Sequence, residues 1–356
     1  NDLPSVISGA VTDIDKIGAV FQFVKSKLKW NGNYGKYTEK GVRKSYKEGV
    51  GNVADINLML TSMLRSVGVN ANPVLISTRN HGVSFFPTLK GFNYVIAAVV
   101  LPNNTYVLLD ATEPFSLPNV LPIRDLNWQG RVVKKDGDSY SIPLTSKRHA
   151  VEDNNLSVKV SEDGFVEGMM RSKYTRHEAL VYRKKYNHVK DDDMISKIEE
   201  KYEIEIDNFR ISNKKEIGKP INQLLKFSSE DFIEEIGGKK YISPLLFLET
   251  STNPFKLEDR KFPVDFETPW KKVNRVTIKI PEGYKVETFP ETIAIGLPEE
   301  LGVFKYQVQV TNNVIKVISI MQMNKAVITP QYYQYLKEFY KTMIEKQSEK
   351  IVFVKK

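Results

Sequence analysis

Residues 49–78 read GVGNVADINLMLTSMLRSVGVNANPVLIST, a glycine turn followed by a helix and then a strand. Ile56, Met59, Leu60, Met63, Leu64 and Val67 recur at the 3.6-residue period of a helix packed along one face. Asn52 suits the N-cap, Asp55 three residues on completes a capping box, and Gly68 fits the left-handed position past the C-terminus. Both ends of this helix are therefore specified by sequence. The apolar run from Pro73 to Ser77 is the strand that follows it.

Outward from this stretch, apolar Ile14, Ile17, Phe21, Val24 and Leu28 mark an earlier helix capped by Thr12 or Asp13. Downstream, GFNYVIAAVVL (91–101) and YVLLDAT (106–112) read as strands of an antiparallel sheet, with Pro102-Asn103-Asn104 as the turn between them. Residues 31–49 read as a polar loop carrying Tyr34, Tyr37 and Tyr46, and residues 115–122, with three prolines, as an extended wrap that closes the core.

This order of parts, over about residues 10–128, resembles the transglutaminase-like superfamily, whose fold is papain-like. In that superfamily the turn reads roughly Gly-x-Cys-x-Asp, and the cysteine opens the helix, where the positive end of the dipole favours a thiolate. A histidine on the next strand and an Asp opening Asp-x-Thr complete the triad. Here the frame reads Gly51-Asn52-Val53-Ala54-Asp55, Tyr94 stands where the histidine is expected, and Asp110 holds the third position. Valine has neither a proton to lose nor a lone pair to attack with, so acyl transfer by this mechanism is excluded. The chain is expected to be a pseudoenzyme whose vestigial positions Val53, Tyr94 and Asp110 converge, with Tyr94 bonded to Asp110 as a polar structural cluster.

The resemblance implies a secreted bacterial protein, periplasmic or cell-envelope associated, with β-rich modules flanking the core. The implied function is a scaffold or interaction protein that grips an extended peptide or a protein partner in the cell envelope. Its binding wall would be Trp30, Tyr34, Tyr37 and Tyr46 with Asn52 and Asp55 at the helix start. Two alternatives stand beside this: a hydrolase using non-cysteine chemistry in the same cleft, with Tyr94, Asp110 and Asp55, and a glycan-binding envelope protein acting through its C-terminal β modules.

Composition narrows the classes. The chain has 356 residues, enough for two or three domains, and its 41% hydrophobic and 27% charged residues are ordinary for a folded globular protein. Lys and Arg number 52 against 43 Asp and Glu, a formal net charge of +9, but the Lys-Lys doublets are scattered and interleaved with acids. No one block concentrates the charge as a nucleic-acid groove requires, so nucleic acid is not an expected partner, whereas anionic lipid heads or envelope polysaccharide remain compatible. There is no cysteine, which removes disulfides and thiolate chemistry together. No apolar window is long enough to span a membrane. The chain opens at Asn1-Asp2-Leu3-Pro4 without a leader, so a mature or trimmed product is expected.

Four scattered histidines give no metal motif, Asp191-Asp192-Asp193 lacks the alternation of a calcium loop, and no phosphate loop or dinucleotide fingerprint occurs, so no cofactor or metal is expected. Past Gly130 the pattern turns to strands, with hairpin signals at Asp136-Gly137-Asp138 and Glu162-Asp163-Gly164, a broken helix over 175–202, further strands to Leu248, and a final helix from Pro330 closed by a terminal strand. The expected class is α+β: a core at 1–130, a β-rich domain with helical insertion at 131–262, and a C-terminal β module with terminal helix at 263–356.

Overall fold

The computed structural model describes residues 2–356 other than 84, 85, 87, 89, 103 and 104, so the centre of the turn expected at Pro102-Asn103-Asn104 lies outside the described residues. The chain divides into two compact units, residues 1–147 and 148–356. It is α+β, as the sequence implies, with most of its strands in the second unit.

The first unit holds helices α1 (Leu3–Val6), α2 (Asp13–Lys27), α3 (Val42–Glu48) and α4 (Val53–Ser66). Its antiparallel sheet has the strand order Tyr106–Leu109, Tyr94–Val100, Ala71–Ile76, Gln129–Val133, Ser139–Pro143. Helix α4 is the buried centre: Ile56, Met59, Leu60 and Leu64 pack with Ile17, Val20, Phe21 and Val24 of α2 and with Ala97 and Val99 of the sheet. Both halves of its capping box form, the Asn52 side chain accepting the Asp55 N–H at 2.8 Å and the Asp55 carboxylate accepting the Asn52 N–H at 3.1 Å. Gly51 is required immediately before it, because a Cβ there would lie 2.6 Å from the Cβ of Asp55. Thr12 and Asp15 cap α2 in the same way.

The second unit is built on an eight-stranded sheet in the order Glu205–Ser212, Ile221–Ser229, Val166–Thr175, Ala150–Val160, Trp270–Lys279, Val314–Met323, Gly302–Thr311, Ile293–Gly296. All its pairs are antiparallel except Ala150–Val160 with Trp270–Lys279. One face alternates Leu156, Val158, Val276, Ile278, Ile315 and Val317 into a core that α7 (Tyr333–Ser348) completes with Leu336, Phe339 and Met343. Helices α5 (His177–Tyr186) and α6 (Asp191–Tyr202) contribute Ala179, Tyr182 and Met194 to a smaller cluster with Ile221. A four-stranded sheet joins Ile233–Ile236, Lys239–Ile242, Ile351–Lys355 and Tyr284–Thr288. No helix of the described residues is long and apolar enough to cross a membrane.

Four expectations are corrected. The boundary at 130 fails because Gln129–Val133 pairs with Ala71–Ile76, which brings both strands of the Asp136-Gly137-Asp138 hairpin into the first unit's sheet. The boundary at 262 fails because Trp270–Lys279 lies parallel beside Ala150–Val160; parallel neighbours need a long crossover, and residues 161–269 are that excursion rather than a separate domain. Within the expected polar loop 31–49, α3 forms between Gly41 and Gly49, both at positive φ, too short to show an apolar period. The strand expected over 241–248 also stops at Ile242, ahead of Ser243-Pro244, and gives way to a 3₁₀ turn at Leu246–Leu248.

Candidate functional site

Helix α4 presents Val53 at its first position, where the Val53 N–H donates to the carbonyl of Asn33 at 3.3 Å. The loop before it is tied down as well: the Asn52 amide donates to Tyr37 O at 2.9 Å and the Trp30 indole donates to Asn33 O at 3.0 Å. The short parallel pairing of Lys29–Trp30 with Val50–Gly51 lies beside both bonds in sequence.

Tyr94 opens the strand Tyr94–Val100 and Asp110 follows its neighbour Tyr106–Leu109, so their side chains meet across neighbouring strands. The Tyr94 hydroxyl donates to Asp110 Oδ2 at 2.9 Å and lies 2.7 Å from Thr112 Oγ1. Asp110 Oδ1 accepts the Asn57 amide of α4 at 2.8 Å and the Thr112 N–H at 3.0 Å. Asn57 in turn accepts the Ala111 N–H at 2.9 Å and donates to Val95 O at 3.0 Å, which pins the helix to two strands.

Above this lies Arg124, from the 3₁₀ turn Ile123–Asp125. Its guanidinium donates to Asp110 Oδ2 at 3.3 Å, Thr112 Oγ1 at 2.8 Å and the Tyr94 hydroxyl at 3.2 Å, and pairs with Glu113 at 3.6 Å. It lies 4.8 Å from the centre of the Trp30 ring and 5.7 Å from that of Tyr94. Trp30 stacks on Tyr34 at 5.5 Å, and Tyr34 meets the edge of Tyr94 at 5.4 Å. The guanidinium is thus enclosed by aromatic faces and carboxylates, an arrangement suited to a partly buried cation.

The protonation pattern follows from these contacts. Burial disfavours the charge on Asp110, but the Arg124 cation and the hydrogen bonds from Asp125, Asn57 and the Thr112 N–H outweigh it and hold Asp110 below the usual carboxylate range. Asp125 goes the other way: burial, then the negative charge of Asp110, push its carboxyl well above that range. Neither Asp125 oxygen receives an N–H or O–H donor, so no hydrogen bond to its charged form offsets the burial that favours the neutral one. Tyr94 is likewise raised, by burial and then by Asp110, and stays a neutral phenol.

The structure therefore brings Tyr94 and Asp110 into direct contact and places Val53 in the same buried cluster as Tyr94. All three are 0% exposed. Trp30 and Tyr34 join this centre and Asn52 and Asp55 form the cap beside it, whereas Tyr37 contributes its carbonyl and leaves its ring 71% exposed. Tyr46 faces elsewhere: it lines a separate cavity of about 580 Å³ with Leu3, Phe23, Val42, Met59 and Met63, and its hydroxyl donates to Asp2. It is thereby removed from the expected binding wall.

Arg124, Asp125, Asn57 and Thr112 were not singled out by sequence reasoning. The available signal was an Arg-Asp pair set between apolar Leu121, Ile123 and Leu126 at the end of the proline-rich wrap, a poor place for two charges unless they are paired. Among the described residues no group of three or more His, Asp or Glu side chains is gathered so as to hold a metal ion.

Comparison with known proteins agrees with this geometry. Residues 3–111 match the model of the transglutaminase-like superfamily, and residues 238–353 match a family described as a domain of unknown function with solved structure, DUF3858. A crystal structure described as that of a "putative protease" from Parabacteroides distasonis superposes on 99% of this chain with a TM-score of 0.55 at 13% identity, a likeness of fold. This chain spans 54% of that protein's length. No curated protein matches in sequence.

Proposed function

We propose that the first unit is a transglutaminase-like core without covalent chemistry, serving as a scaffold for a protein partner in the bacterial cell envelope. The observation that carries this is the state of the three triad positions: a valine replaces the nucleophile, a neutral buried phenol replaces the base, and the acid is saturated by Asn57, Tyr94, Thr112 and Arg124. A base must offer a lone pair to a substrate proton at a pKa near the working pH. Tyr94 offers neither the lone pair nor the pKa, and none of the three side chains is open to a substrate atom.

The same sealing moves any peptide-binding surface outward. The exposed rim is Tyr34, at 45%, and Tyr37, held over the closed centre by the Trp30 and Asn52 contacts. Flat aromatic side chains on an ordered loop lose little entropy on binding and suit contact with an extended peptide. The envelope location rests on the resemblance to secreted chains, and cell fractionation with an antibody to the intact protein tests it.

Incubating the full chain with a proteome-derived peptide mixture and a primary amine, followed by mass spectrometry, tests the loss of chemistry. Neither cleavage nor transamidation is expected. Cleavage or transamidation by the intact chain above a protein-free control would overturn the reading.

A further inference from the structure

The open face of the eight-stranded sheet carries a row of cations that no stretch of sequence contains. Strand register sets Arg210 opposite Leu224, Leu224 opposite Arg171, Arg171 opposite Asn155, and Asn155 opposite Arg275. Three arginines thus stand on alternate strands at one level, and because neighbouring strands are about 4.8 Å apart their anchor points recur at about 9.6 Å. The next level sets Ser212, Asn222, Lys173 and Asp153 side by side in the same way. These residues line an open trough of about 660 Å³.

Its electrostatics are one-sided. The trough holds four cations, Arg171, Lys173, Arg210 and Arg275, against one carboxylate, Asp153. Asp153 is already paired with Arg275. Arg171 and Arg210 are exposed and, among the described residues, have no ion-pair partner. Unpaired guanidinium groups at fixed spacing repel one another and favour an anion that bridges them.

We propose that this trough binds an anionic polysaccharide carrying one carboxylate or sulfate per disaccharide. The guanidinium fork matches carboxylate and sulfate oxygens pairwise, and its period across alternate strands is close to the length of a two-sugar repeat. Between the arginines stand Asn155, Asn222 and Ser212, whose side chains both donate and accept and so suit the hydroxyls between charged groups. Single-stranded nucleic acid fits less well, because its binding grooves interleave cations with aromatic stacking platforms and no aromatic residue lines the trough. A lipid surface fits less well too, since Leu224 is the one large apolar side chain there. The proposal concerns the second unit and stands apart from the reading of the first.

Calorimetric titration of the full chain with hyaluronan oligosaccharides, whose uronates alternate with neutral sugars, tests it. The variant Arg171→Ala with Arg210→Ala is compared with a charge-matched control, Lys261→Ala with Lys285→Ala, after both are shown to melt as the parent does. Loss of about tenfold or more in affinity in the arginine variant, with the control within about twofold, is expected of paired guanidinium contacts. Equal weakening in both variants would reduce the effect to net charge and overturn the proposal, as would the absence of glycan binding. Oligothymidylate and phosphatidylglycerol vesicles are run in parallel, and tighter binding of either through the same two arginines would equally overturn the assignment to a glycan.

Discussion

Asp125→Asn tests the raised carboxyl at the centre of the first unit. Burial and the charge of Asp110 hold the folded Asp125 carboxyl well above the ordinary value of about 3.9 at which it titrates in the unfolded chain. A raised folded pKa contributes stability that is fully present below the unfolded pKa and is lost as pH rises through the folded one. Each pH unit between the unfolded and the folded pKa costs the parent about 1.4 kcal/mol, so its stability falls as pH rises above the ordinary carboxylate range. Asparagine carries no such cost. Its side chain has nearly the same volume and does not titrate. The stability difference between variant and parent is therefore expected to grow in favour of the variant, by about 1.4 kcal/mol for each pH unit between the unfolded and folded pKa of Asp125.

Urea unfolding at a series of pH values measures this, followed by fluorescence of Trp30, which lies against Arg124, in a background where Trp128 and Trp270 are phenylalanine. A probe inside the first unit is needed because a two-unit chain need not unfold in one step. Parallel curves for parent and variant would mean that Asp125 is ionised when folded. The closed hydrogen-bond network described above would then be wrong.

Other outcomes follow from the same contacts. Arg124→Met should cost about 3–5 kcal/mol, the usual consequence of leaving a buried carboxylate without its cation, and its melting temperature should recover as pH falls and Asp110 takes up a proton. Lys25 donates to Ser116 O, and burial lowers its pKa to about 8 against the pull of Glu113 and Asp110. The stability it contributes is lost as pH falls through 8, so the unit should grow more stable between pH 8 and 10, and Lys25→Met should flatten that rise in denaturation curves. Val53→Cys alone should give a buried thiol that iodoacetamide labels slowly, because Tyr94 cannot act as an imidazole. Adding Tyr94→His should move the thiol pKa well below about 8.5, and identical labelling profiles would show that position 94 does not face position 53.

How much could be read from sequence depended on whether the information was local. The caps of α2 and α4 were legible because Thr12 with Asp15 and Asn52 with Asp55 satisfy backbone donors within one turn. The contact of Tyr94 with Asp110 was legible because adjacent strands fix it once the strands are recognised. Arg124 was not, since its place is set by a wrap whose path no period encodes, and its partners come from two other segments, Asp110 with Glu113 and Trp30. The division at 262 was misplaced for the same reason: the parallel pairing of Ala150–Val160 with Trp270–Lys279 joins residues more than a hundred positions apart.

The polar centre also gives the acid at position 110 a structural role. Asp110 takes hydrogen bonds from α4 through Asn57, from the neighbouring strand through Tyr94, from its own turn through Thr112 and from the end of the wrap through Arg124. A neutral isostere offers one acceptor atom in place of two and turns the other into a donor, which would face Tyr94, Thr112 or Arg124 donors with no lone pair to give. Leaving buried donors unmet costs about 1–3 kcal/mol each, more where the donor is charged. The carboxylate that would orient a base in an active relative here joins four segments at one buried point, so removing it should register first as lost stability of the first unit.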